Sequence, residues 1–207
     1  MGKQSYNSKY FKFYRLFHGG QKAPFFDLLA RMGIDLPHLQ EGVRQVKEAQ
    51  GARHAHSDCI TETERLQRSF AEVFAEARGE LVEARTLARV LTHRDASLQT
   101  RLHVRGKIPQ KLSDWLLLAE RFYEALAQHP ELLQQVQHTY PHTDGPASVA
   151  KVKRASEALE AAKYTQRQAG AVHRQRFQAV EAYYTQTAGL ARLAFKNHGH
   201  YRSALGL

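Results

Sequence analysis

The chain has 207 residues, 43% of them apolar and 24% charged, with 13 Gly, 6 Pro and one Cys. That length buries a real core, and no apolar run approaches the roughly 18 residues of a membrane span. A single cysteine excludes an internal disulfide, and the wealth of Ala, Leu, Gln, Glu and Arg over β-branched runs points away from sheet and towards an all-α chain.

The net charge of +10 is unevenly spread. Met1 to Lys22 holds five Lys/Arg and no acid, and residues 150–207 hold ten against three. The stretch between them holds fifteen bases against seventeen acids. Two basic ends favour an anionic partner; a solvated surface that keeps the protein soluble is the plainer alternative. The N-terminus has no apolar h-region, and Tyr6 stands where a myristoylation signal wants Ser or Thr, so neither export nor lipidation is expected. With one thiol and no span, a cytoplasmic location is expected.

The first predicted element is YNSKYFKFYRLF. Tyr6, Tyr10, Phe13 or Tyr14, and Phe17 recur at helical spacing, with Lys9, Lys12 and Arg15 between them. Ser5 or Asn7 can cap this helix. Its aromatics can dock as core, lie on an anionic membrane, or stack nucleobases while the lysines track phosphates. The first is favoured, and membrane contact is not expected.

After a short Leu-rich helix comes a long stripe. Ala49, Ala52, His56, Cys59, Thr63, Leu66, Phe70, Val73, Ala77, Leu81, Ala84, Ala88 and Leu91 alternate spacings of three and four, which is a heptad pattern. It predicts one helix from near Leu36 to near Thr92, about 80 Å long, with Pro37 in its first turn. Within it lies GARHAHSDCI, Gly51 to Ile60, with four potential metal ligands within six residues. On an intact helix, residues two apart point about 200° apart, so His54 and His56 cannot grip one ion together. His56 and Cys59 share the stripe, whereas His54 and Asp58 lie on another face. His56 and Cys59 are weak metal candidates, more simply read as seam residues.

Helix breaks at HVRGKIPQK, where Gly106 and Pro109 fall. DWLLLAERFYEAL then predicts a helix capped by Ser113 or Asp114, with Trp115, Leu118, Phe122 and Leu126 as its apolar face. A second long stripe runs from near Ala147 to near Lys196 through Val149, Val152, Leu159, Val180 and Ala191, with Gln166, His173 and Arg176 at stripe positions. KNHGHY near the C-terminus offers His198 and His200 as weak metal candidates; Gly199 as a helix C-cap is the plainer reading.

The order of features recurs. LARVLTHRDASLQTRLHV (Leu87 to Val104) aligns without gaps on LARLAFKNHGHYRSALGL (Leu190 to Leu207), an offset of 103. Phe74 then falls on Phe177 and Val46 on Val149, and FYRLF resembles FYEAL. Where the first copy's aromatic helix carries bases, the second carries Glu120 and Glu124, so packing is the shared role and anion binding belongs to the first copy. Two helical repeats, 1–105 and 106–207, packed as one domain are predicted. The fold expected is an all-α, elongated bundle on two long antiparallel helices, with internal duplication and pseudo-twofold symmetry.

No Glu-x-x-His, Gly-rich phosphate loop, G-x-S-x-G or spaced Cys-His arrangement is present. Neither a cofactor nor a metal is expected. The function this predicts is a non-enzymatic helical scaffold or interaction module, binding a protein partner or itself as a homodimer through a coiled-coil-like seam. The alternative is a nucleic-acid-associated protein using Lys3, Lys9, Lys12, Arg15, Lys151, Lys153, Arg154, Arg174 and Arg176. An enzyme would need His56, Cys59, His173 and Arg176 to converge on one cavity.

Overall fold

A computed structural model describes residues 5–140 and 144–207, which are helix and turn with no strand. Eight helices follow one another: α1 (Tyr6–Gly19), α2 (Phe25–Ala30), α3 (Leu36–Leu91), α4 (Ala96–Arg101), α5 (Leu112–Ala127), α6 (Pro130–Thr139), α7 (Gly145–Ala194) and α8 (Gly199–Leu205). The two long stripes are thus unbroken helices of 56 and 50 residues. They pack together antiparallel: His38 and Glu48 of α3 meet Thr187 and Arg176 of α7, and Glu80 of α3 meets Ser148 of α7.

The chain forms two compact units, Met1–Thr61 with Tyr164–Leu207, and Glu62–Lys163. Unit 1 takes α1, α2 and the first half of α3 together with the second half of α7 and α8. Unit 2 takes α5, α6, the start of α7, the end of α3 and α4. Each has its own core. In unit 1, Tyr10, Phe13, Leu16 and Phe17 of α1 bury against Phe177, Val180 and Tyr184 of α7. In unit 2, Trp115, Phe122 and Leu126 of α5 bury with Leu81, Ala84 and Leu102. The core reading of the first aromatic face therefore holds for Tyr10, Phe13 and Phe17, whereas Tyr6 and Tyr14 are exposed.

Positions 103 apart share burial: Val46 and Val149, Leu81 and Tyr184, Ala88 and Ala191, and Leu102 and Leu205 are all buried. So are Gly42 and Gly145, each lying under an aromatic ring. An added Cβ would sit 2.2 Å from the Phe17 ring in one case and 2.0 Å from the Tyr123 ring in the other.

Ser5 caps α1 by accepting from the Ser8 amide, as expected. Three expectations are corrected. Neither Ser113 nor Asp114 caps α5, which starts at Leu112 with Lys111 at its N-cap; the Ser113 hydroxyl donates to the Asp114 carboxylate instead. Gly199 is not a C-cap, because α7 has already ended at Ala194, a turn closed by the His198 amide on the Phe195 carbonyl intervenes, and Gly199 opens α8. Arg176 does not lie in the seam: it is exposed and reaches Glu48 on α3.

Candidate functional site in unit 1

The helix runs intact through Gly51 to Ile60. His54 and Asp58 are exposed, and His56 and Cys59 are half-buried, so the four side chains split between faces as the helical period dictates. What the sequence could not supply was a partner from α7. His173 is buried there, its ring 6.1 Å from that of His56 and inclined by 28°. Gly170 makes room for this approach: a Cβ at that position would lie 3.0 Å from His56 Nε2.

Helix α1 closes the site. The Tyr10 hydroxyl lies 3.0 Å from the Ala49 carbonyl and 3.3 Å from His173 Nε2. A phenol has one proton, and a carbonyl can only accept. Tyr10 therefore donates to Ala49, and His173 donates from Nε2 to the Tyr10 oxygen, which fixes the imidazole tautomer. The Tyr6 and Phe177 rings stand edge-on around His173, at 5.1 and 6.3 Å.

The electrostatics keep both groups neutral. Burial, then the nearby His56, Arg53 and Arg174, push the His173 imidazole below its ordinary range. Burial pushes the Tyr10 phenol up to about 12. A neutral donor and an un-ionised phenol, each already hydrogen-bonded, make a packed polar junction rather than a nucleophile with its base. Of the four groups whose convergence would mark an enzyme, the structure brings together His56 and His173, while Arg176 turns to Glu48. Among the described residues no cluster of three or more His, Cys, Asp or Glu is placed to hold a metal. At the other weak candidate, His198 and His200 both pack their rings on Tyr201, at 5.2 and 4.0 Å.

The basic residues separate by unit. Lys3 lies outside the described residues. In unit 1, Lys9 pairs with Glu181 at 2.6 Å and sits over Phe177, and Lys12 sits over Tyr184. Arg15 donates to the Ser203 and Ala204 carbonyls, closing the end of α8, and Arg174 is exposed. In unit 2, Lys153 pairs with Glu120, Arg154 reaches its own helix at the Ala150 carbonyl, and Lys151 is exposed. Counted by unit, fifteen Lys/Arg face six Asp/Glu in unit 1, a balance of +9, whereas unit 2 is +1.

Unit 2 has its own polar features, which the sequence did not announce. Arg85 is 5% exposed and donates to the carbonyls of His103 and Arg105. A cavity of about 350 Å³ lies between α5 and the start of α7, with Tyr123, Ala127 and Val149 as its apolar wall and Glu120, Glu124 and Lys153 at its rim. No protein-family model, curated protein or solved structure matches the chain.

Proposed function

We propose that the protein is a non-enzymatic helical interaction module that associates with a second copy of itself. The observation that carries this reading is the set of large apolar side chains exposed on unit 2: Val82 (43%), Val90 (59%), Leu91 (42%) and Leu117 (48%). Leu87 and Leu91 also line an open groove of about 630 Å³ against the Gln134, Gln135 and His138 face of α6. Light scattering tests it. A mass of twice 23.6 kDa that persists in high salt, and that returns to 23.6 kDa in Val90→Glu/Leu91→Glu, is expected. A monomer at every concentration overturns the reading.

The same reading takes the two sequence repeats as an internal duplication, supported by the matched burial 103 residues apart. A cytoplasmic location goes with it.

A second reading, nucleic-acid binding by unit 1, is favoured by the concentration of charge there. Phosphate contacts weaken steeply between about 50 and about 200 mM salt, whereas an apolar interface hardly responds. Binding of an oligonucleotide that falls across this range supports it, and absence of binding at the lower salt removes it.

A further inference from the structure

We propose that the outer face of α1 is a stacking platform for single-stranded nucleic acid. This rests on the second reading above and places its contact surface. Opposite the buried Tyr10, Phe13 and Phe17, α1 presents Phe11, Tyr14, Arg15 and His18. Phe11 is 64% exposed, with the Arg15 guanidinium 5.7 Å from its ring centre. Tyr14 is 37% exposed and stacks on His18 at 4.8 Å and 16°. One helix face thus carries two ready-made stacks, one ring-on-guanidinium and one ring-on-ring. Flat π surfaces interleaved with cations suit bases and phosphates of one strand.

Packing does not explain the face. Aligning FYRLF with FYEAL sets Phe11 against Glu120, Arg15 against Glu124 and His18 against Ala127. The inward residues of the two helices are alike, with Phe13 and Phe17 buried in one and Phe122 and Leu126 in the other. At three outward positions α5 carries Glu120, Glu124 and Ala127 where α1 carries Phe11, Arg15 and His18, and Tyr14 is 37% exposed where its counterpart Tyr123 is buried. The surrounding unit, at +9, complements a polyanion. A lipid surface fits less well, because Phe11 is the one wholly apolar large side chain that α1 exposes, and insertion needs a contiguous apolar face.

Fluorescence anisotropy with labelled oligothymidylate of roughly twenty nucleotides tests the proposal, using an abasic strand of equal length and phosphatidylserine vesicles as comparisons. The full chain is expected to bind the thymidylate about tenfold or more tighter than the abasic strand, and Phe11→Ala/Tyr14→Ala to lose that margin while keeping its salt dependence. Circular dichroism confirms that the variant, altered only at exposed rings, retains its helix. If the full chain binds and the variant binds equally well, the platform is wrong although unit 1 still binds nucleic acid. If neither strand binds, both ideas fall, and vesicle binding without strand binding overturns the proposal in favour of a membrane.

Discussion

His103 and Gly206 stand 103 residues apart and do the same thing: each turns the chain left-handed after a short tail helix, with φ of +50° and +72°. At Gly206 this conformation is unstrained, whereas at His103 a β-carbon opposes it. His103 is exposed and its backbone carbonyl is what Arg85 needs. His103→Gly is therefore expected to stabilise the protein by about 1 kcal/mol, read as a higher urea midpoint with an unchanged slope.

The glycines of the long helices divide by sign. Gly42 and Gly145 are held under Phe17 and Tyr123, so Ala at either should cost about 1–3 kcal/mol through forced repacking. Gly51 and Gly79 are interior helix positions with nothing near an added Cβ, so Ala there should gain up to about 1 kcal/mol. Four urea curves suffice, and a gain at Gly42 or Gly145 would contradict the close ring contacts.

Arg85 is a buried cation whose hydrogen bonds all go to the carbonyls of the His103–Arg105 turn. Arg85→Met should cost about 2–3 kcal/mol by leaving those carbonyls unpaired, and Arg85→Lys should recover little because an ammonium lacks the planar fork. Thermal or urea unfolding of the two variants checks the order.

Tyr10→Phe removes a donor from the Ala49 carbonyl and an acceptor from His173, both buried. A loss of about 1–2 kcal/mol is expected, larger than for Tyr14→Phe, whose hydroxyl lies on an exposed face. Equal effects would mean that the junction contributes nothing beyond ring packing.

Stability should also depend on pH through His173. Its imidazole titrates near 6.5 when unfolded and lower when folded, because of burial and then His56, Arg53 and Arg174. Below about 6.5 the unfolded chain binds more protons than the folded one, so stability falls as the pH drops through that value towards the folded one. Above it the contribution is complete. In His173→Phe, which installs the residue found 103 positions earlier as Phe70, this component of the acid slope should vanish; an unchanged slope would place the proton uptake elsewhere.

The long helices were legible in the sequence because a heptad stripe holds phase over dozens of residues, and α1 was legible because Tyr10, Phe13 and Phe17 fall on one face. The period also separated His54 from His56. It could not pair His56 with His173, since that requires the register of α3 against α7, which no local pattern encodes. Arg176 failed for the same reason, keeping the stripe spacing while its long side chain left the seam for Glu48. Arg85 looked like any arginine on a charged helix, because the loop carbonyls that bury it come from eighteen and twenty residues downstream. Phe11 was missed because the aromatic period of α1 runs through Tyr10, Phe13 and Phe17 and leaves it off that face.

The division of α3 and α7 between two units has a consequence for synthesis on the ribosome. All of unit 2 lies within Glu62–Lys163 and is synthesised ahead of the Tyr164–Leu207 part of unit 1. Unit 1 must wait for Phe177, Tyr184 and Leu205, so Tyr10, Phe13 and Phe17 leave the exit tunnel long before the α7 side of their core exists. The growing chain carries that sticky helix without this cover until then, which makes α1 the segment where a chaperone would first take hold.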